Sequence, residues 1–464
     1  MRHAQRWVLA LTALAAGMVM LDMLVVTTAL SAIRLSLHAS IAELEWTVNA
    51  YTLSFAVLLM TASALGEKVG RRRLFTIGLA VFTAASAACA LAPGAGLLIA
   101  ARAVQGAGSA MIMPLALALL ANAFPPPQRA RVLGLFSGMT GVATLAGPLV
   151  GGAVVQGLTW QWIFWLNVPI GLAAIPLALA RIPESHGPRA RLDLAGLVLV
   201  SGGMFGIVWG LVQASEGWGR VEVVGPLAAG LALAVAFVAW ERRAAEPMLP
   251  MVLFRSRAFA AGNVTGFLLF GSIMGAAFFF AQFLQTALHY GSLWAGLALL
   301  PWTATLSLVA PVAGARIARV GERPLLVGGL LLQAAGFAWV ALIARPGLAY
   351  PMLVPPFVLA GAGVSMAMPA AQSAVLGAAS PALIGKASGV FSTLRQLGGT
   401  FGIAILAAAF TASGGYGSAA EFSDGFGAAA TTAAVLSLGA AIVGLWVPAR
   451  PRHSEAEPIL EAVR

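Results

Sequence analysis

Three ionisable side chains fall well inside long apolar stretches of this 464-residue chain: Asp22, Arg102 and Arg395. Charge is scarce elsewhere, at 9% of residues against 60% hydrophobic, so each of the three needs a reason to be where it is. A charged side chain at the centre of a bilayer costs at least about 3 kcal/mol, and those that persist pair with each other or serve ion and proton movement. Asp22 is the one acid placed this way. It is a natural proton acceptor and donor for a coupling cycle, or else a structural acid neutralised by Arg102 or by backbone donors. Arg102 is a permanent cation that either pairs with Asp22 until a proton or a cationic ligand releases it, or binds backbone carbonyls. Arg395 has the neutral polar Gln396 beside it; structural stitching and a ligand contact both remain open.

Positioning such groups takes membrane spans. Apolar runs of roughly 18–25 residues, long enough to cross a hydrocarbon core as a helix, recur along the chain. Their breaks predict helices over 7–31, 44–66, 74–92, 96–122, 131–156, 161–180, 194–213, 222–240, 258–281, 293–315, 324–344, 351–377, 387–411 and 427–447. The expected fold class is an all-α integral membrane protein with 14 transmembrane helices, which excludes a soluble globular enzyme. Of the 27 Lys and Arg, Arg34, Arg220 and Arg345 fall on one side, Arg102 and Arg395 lie within spans, and the other 22 share the opposite side with both termini. That bias predicts a multi-pass protein of the cell membrane with cytoplasmic N- and C-termini. The net charge of +11 is therefore loop topology, and no nucleic-acid partner is expected. The first stretch contains Asp22 and is followed by many further spans, so it reads as a retained helix. Cys89 is the single cysteine and reads as an inert buried thiol; the five histidines have no zinc spacing, and no metal is expected.

An internal repeat organises the chain. Residues 106–137 match 361–392 at a constant offset of 255: Gly106-Ala107-Gly108 with Gly361-Ala362-Gly363, Met111-x-Met113-Pro114 with Met366-x-Met368-Pro369, and Phe136-Ser137 with Phe391-Ser392. A second match has offset 251, pairing Lys68-Val69-Gly70 with Arg319-Val320-Gly321. Six spans with their loops need roughly 190 residues, so offsets near 250 leave room for one extra helical hairpin. The expected organisation is a six-helix bundle over 1–183, an inserted transmembrane hairpin over 184–245, a second six-helix bundle over 246–448 and a cytoplasmic tail over 449–464. Parallel repeats of this kind place a transport site at the interface between the halves.

Several strings resemble the major facilitator superfamily, in particular its fourteen-helix drug:proton antiporter branch. The superfamily's loop motif G-x-L-a-D-r-x-G-r-k is matched by Ser63-Ala64-Leu65-Gly66-Glu67-Lys68-Val69-Gly70-Arg71-Arg72, with Ser63 for the first glycine and Glu67 for the aspartate. The motif l-R-x-x-q-G is matched by Ala101-Arg102-Ala103-Val104-Gln105-Gly106, and the antiporter motif by Gly147-Pro148-Leu149-Val150-Gly151-Gly152, with Ala143 at its leading glycine. Leu21-Asp22, the run Trp162–Gly171 and Leu394-Arg395-Gln396-Leu397-Gly398-Gly399 are further family-like strings.

The resemblance implies a proton-coupled secondary transporter that exports small hydrophobic or cationic drugs by alternating access, driven by a proton gradient without a cofactor and working as a monomer. No Walker A string is present, which agrees with a non-ATP mechanism. A dedicated exporter of one endogenous metabolite or lipid would look the same. A membrane enzyme or receptor is disfavoured, because the loops are short and poor in His, Cys and paired acids. Proton coupling is expected at Asp22 and Arg102, and an intracellular latch at Glu67, Gly70, Arg71 and Arg72, closing on the N-terminus of the 387–411 span. Gly147, Pro148, Gly151 and Gly152 are expected to form a hinge and close-packing surface. The expected substrate cavity draws on Trp46, Asn49, Tyr51, Gln105, Phe278, Gln282, Gln285, Trp302, Gln372, Arg395 and Gln396, its rings suited to an organic cation.

Overall fold

The computed structural model describes residues 3–186, 193–213, 219–244, 247, 249, 251–379 and 383–448; the tail expected over 449–464 lies outside them. The first half comprises α1 (His3–Leu37), α2 (Ile41–Val69), α3 (Arg71–Ala90), α4 (Ala95–Ala123), α5 (Pro126–Gly157), α6 (Trp162–Trp165) and α7 (Asn167–Arg181). A hairpin follows, α8 (Leu194–Gln213) and α9 (Val221–Glu241). The second half comprises α10 (Arg257–Thr286), α11 (Ser292–Ala298), α12 (Leu300–Val320), α13 (Glu322–Ile343), α14 (Val354–Gly377), α15 (Ile384–Ser413) and α16 (Ala419–Gly444).

Thirteen spans, counting α6 and α7 as one, are long and apolar enough to cross a bilayer. α11 and α12 together make the fourteenth pass, diluted by Thr303, Thr305, Pro311, Arg316 and Arg319. Two of the expected spans are thus broken in two. The second break falls at Leu299, just ahead of Pro301, whose missing N–H suits a helix start. With an even number of passes, the start of α1 and the end of α16 lie on one face, here called the near face.

Packing reproduces the sequence repeat. A methyl group added at Gly106 would lie 2.2 Å from the Tyr51 carbonyl, and one at Gly361 would lie 2.5 Å from the Trp302 carbonyl. Likewise Gly108 abuts the Phe82 amide at 2.7 Å, and Gly363 the Gln333 amide at 2.5 Å. Tyr51 and Trp302, like Phe82 and Gln333, are 251 residues apart. The same small residues therefore seat α4 on α2 and α3, and α14 on α12 and α13. The tight turns at Gly70 (φ 118°) and Gly321 (φ 89°) share that offset, and both need a backbone that L side chains rarely adopt.

The inserted hairpin covers a seam. α8 packs on both α2 and α15. Trp46 meets Phe205 and Trp209 at ring separations of 5.7 and 5.6 Å. Val208 and Val212 bury against Ala404, with Phe401 alongside.

Candidate functional site

Asp22 lies midway along α1 and is fully buried. Its Oδ2 accepts from Arg102 Nη1 at 2.5 Å, and its Oδ1 accepts from Gln105 Nε2 at 2.8 Å and Asn167 Nδ2 at 3.0 Å. Arg102 also donates to Gln105 Oε1 at 2.7 Å and, through Nε, to the Thr47 carbonyl at 3.1 Å. The guanidinium carbon stands 4.2 Å above the Tyr51 ring, a cation–π contact that gains strength where water is absent. Ser86 Oγ accepts from Gln105 Nε2 at 2.8 Å, and the Tyr51 and Ser109 hydroxyls are 2.8 Å apart. Side chains from α1, α2, α3, α4 and α7 thus converge on one ion pair. One donor is left over: among the described residues Arg102 Nη2 has no partner.

The second half builds something different at the matching positions. Tyr51 corresponds to Trp302 and Ser86 to Phe337 at offset 251, and Arg102 to Phe357 at offset 255. All three twins surround one ring, Phe280, at centroid separations of 5.2, 5.8 and 4.9 Å. Each such aromatic pair contributes about 0.5–1.5 kcal/mol beyond its burial. The fold therefore fills this place with hydrocarbon when it is free to do so. The ion pair of the first half is not an architectural requirement.

Between the halves lies a cavity of about 550 Å³. Its inner wall includes Met20 of α1, Phe55 of α2 and Met113 of α4, facing Gln372 of α14 and Arg395 and Gln396 of α15. Asp193, Pro247 and Lys386 carry the wall out to the near face. On the far face the halves are joined. Gln285 Nε2 donates to the Thr28 carbonyl at 2.9 Å and the Leu293 amide to Gln156 Oε1 at 3.0 Å. Deeper in, midway along α2 and α15, the Thr52 and Thr400 hydroxyls are 2.8 Å apart. Arg34 stands 4.0 Å above the Tyr416 ring, and the Tyr416 hydroxyl donates to Gln282 Oε1. The structure is thus open on the near face and sealed on the far one.

The glycine–proline string of α5 belongs to this seal. A methyl group at Gly151 would lie 2.8 Å from the Val25 carbonyl of α1, and one at Gly152 would lie 2.3 Å from the Ser292 carbonyl of α11. Gly296 of α11 returns the contact, 2.3 Å from the Pro148 carbonyl, while Gly147 lies 2.9 Å from Leu24 Cβ. α5 itself runs unbroken through Pro148. Small residues let backbones approach closely, as elsewhere in membrane packing.

Of the residues expected in the cavity, Gln372, Arg395 and Gln396 line it, and the other eight do not. Tyr51 and Gln105 turn into the Asp22 cluster. Phe278 and Trp302 are core residues of the second half, 0% and 4% exposed. Gln282 and Gln285 serve the far seal, and Trp46 packs under the hairpin. Asn49 is fully buried, and neither side-chain polar atom has a partner. The cause is common to all eight: these helices are apolar on every face, so sequence alone did not separate bundle interior from crevice. For the same reason Asp22 and Arg102, paired as expected, lie inside the first half rather than on the cavity wall.

The expected latch also differs. Glu67 gives both oxygens to Arg71, at 2.7 and 2.8 Å. The acid at a helix start is instead Glu184, which sequence reasoning missed. It accepts from the Arg72 and Arg73 amides at 2.9 and 3.2 Å, where α3 begins with unpaired N–H groups. Gly70 gives it room, since a methyl group there would lie 2.8 Å from the Glu184 carboxyl carbon. A second missed acid is Glu45 of α2, 1% exposed, whose Oε2 has no donor among the described residues. It faces the far seal: burial pushes the Tyr416 phenol up, Arg34 pulls it down, and Glu45 pushes it up again.

The model of the Major Facilitator Superfamily matches residues 12–403 and, again, 264–462. This chain belongs to the major facilitator superfamily. Among the superfamily's members it is 38% identical over 402 residues to the tetracenomycin C resistance and export protein of Streptomyces glaucescens, covering 85% of this chain and 74% of that one. It is 37% identical over 450 residues to a cephamycin export protein of Amycolatopsis lactamdurans (94% and 91% covered). The methylenomycin A resistance protein of Streptomyces coelicolor is 36% identical over 402 residues (85% and 84%). A solved nucleoside transporter, NupG, superposes with a TM-score of 0.68 over 95% of this chain and 99% of its own at 13% identity, which shows the fold alone. As a major facilitator the chain is a multi-pass membrane transporter.

Proposed function

We propose that this protein exports small, largely apolar antibiotic-like molecules in exchange for protons, across a cell membrane, with both termini in the cytoplasm. In that orientation the structure is the inward-open state. One chain supplies both walls of the crevice, so the working unit is a monomer in the bilayer. It needs no cofactor, nucleic acid or enzymatic step. The observation that carries the reading is the Asp22–Arg102 cluster, buried in one half and replaced by aromatic rings at the matching positions of the other. Protonation of Asp22 removes the charge that Arg102 pairs with, so the guanidinium must find other acceptors. Its contacts reach α1, α2 and α4; α1 takes part in the far seal, and α2 holds the Thr52–Thr400 contact between the halves. A proton arriving from outside is worth about 2.3 kcal/mol per 100 mV of membrane potential. The resistance and export proteins among the relatives support an antibiotic-like substrate.

Expression in a host stripped of its own pumps tests this. Several antibiotics should be tolerated at raised concentrations, and efflux should stop when a protonophore collapses the gradient. Efflux that continues without the gradient, or no efflux of any compound, overturns the proposal. A second reading, export of one endogenous metabolite, draws support from relatives named for single compounds. In the same assay it predicts one protected compound and no competition among the others.

A further inference from the structure

The two arginines inside the membrane are treated in opposite ways. Arg102 has a carboxylate of its own at 2.5 Å. Arg395, on the cavity wall, has none: among the described residues it forms no ion pair, its Nε has no acceptor, and its guanidinium carbon stands 4.9 Å from the Phe270 ring centre. Beside it Gln396, 2% exposed and also on the wall, leaves its Nε2 donors unused. Lys386 adds a second positive charge toward the near face, its Nζ 3.5 Å from the Pro247 carbonyl. The acid in the lining, Asp193, stands at the near-face end and is already engaged by the Trp240 indole at 2.9 Å and the Gly196 amide at 2.8 Å. The inner wall therefore offers positive charge and free donors. Its remaining surface is apolar, with Met20, Phe55, Leu59 and Met113 prominent.

Arg395 is half-buried on the cavity wall, so its guanidinium is only partly hydrated and has no counter-ion, and an anion that binds there supplies the missing partner. Its planar fork suits a carboxylate or a phenolate, and such charge-assisted hydrogen bonds are the strong ones. We propose that Arg395 and Gln396 form an anion-recognition site, and that the preferred substrates are amphipathic acids. These carry a compact apolar body for the methionine, leucine and phenylalanine wall and a carboxylate, phenolate or enolate for Arg395. Gln396 donates the second hydrogen bond. Organic cations of the same shape are repelled. This rests on the cavity being the substrate site, and it narrows the substrate class within that reading.

Fluorescein and rhodamine 6G share a xanthene ring system and carry opposite charge, so they isolate the charge preference. Fluorescence polarisation on the purified full-length protein in detergent reads binding without any need for transport. Wild type should bind fluorescein about tenfold or more tightly than rhodamine 6G. Arg395→Gln should remove that preference by weakening fluorescein binding about tenfold, and Arg395→Lys should restore part of it. Undiminished rhodamine binding to Arg395→Gln shows that its cavity is intact. Tighter binding of rhodamine by wild type, fluorescein binding indifferent to Arg395→Gln, or no binding of either dye overturns the anion site. A negative efflux screen in cells would instead count against the export reading, so the two failures are distinguishable.

Discussion

Replacing Arg102 with Met should be the most damaging single substitution in the first half, and adding Asp22→Asn should repair the fold without restoring transport. In the single variant Asp22 keeps its Gln105 and Asn167 donors and loses its cation. Breaking a buried pair from one side costs about 3–5 kcal/mol, while replacing both members with neutral groups is close to neutral and can stabilise. Phe357 and Trp302, the second-half counterparts of Arg102 and Tyr51, show that this site packs well without charge. The expected order of thermal stability in detergent is wild type and double variant together, with Arg102→Met well below. Uphill export should be absent from both variants. Counterflow, which exchanges substrate for substrate and needs no proton, should survive in the double variant. A double variant that still pumps uphill would show that the ion pair is structural.

A valine at position 152 should prevent the far seal from closing. The added Cβ would stand 2.3 Å from the Ser292 carbonyl and 2.9 Å from Leu293 Cα, so backbone on α11 must retreat rather than a side chain. Two halves that cannot meet on that face cannot complete an alternating cycle. Transport should fall to background with expression retained. Cys89 is fully buried, so an engineered cysteine pair at Gln156 and Leu293 gives a clean readout. Oxidative cross-linking should be rapid in the otherwise wild-type protein and slowed by about tenfold or more when Gly152→Val is added. The same rate with and without valine would mean that this contact does not hold the halves together.

The number of passes, the repeat and the Asp22–Arg102 pairing were legible in the sequence, for a shared physical reason. Span length is set by bilayer thickness, and an ion inside an apolar run is too costly to be incidental. The repeat was legible because Gly106 and Gly361 meet backbone, where only a missing side chain fits. Which face of each helix looks where was not legible. Tyr51 and Thr52 are adjacent on α2, yet one turns into the ion cluster and the other to Thr400 across the seam. No alternation of polar and apolar residues distinguishes these directions when lipid, bundle interior and seam are all apolar. Asn167 and Ser86 completed the cluster unannounced, since a lone serine or asparagine in a span has many uses. Glu184 was missed because its role depends on a turn more than 100 residues away, at Gly70.

Coupled exchange moves substrate and proton in opposite directions through one protein. Reconstituting the purified protein into liposomes with a pH-sensitive dye in the lumen tests it without cells. With a transported substrate loaded inside and diluted outside, the lumen should acidify as substrate leaves, and the Asp22→Asn/Arg102→Met variant should show no such change. Substrate leaving wild-type liposomes with a flat pH trace would rule out proton exchange.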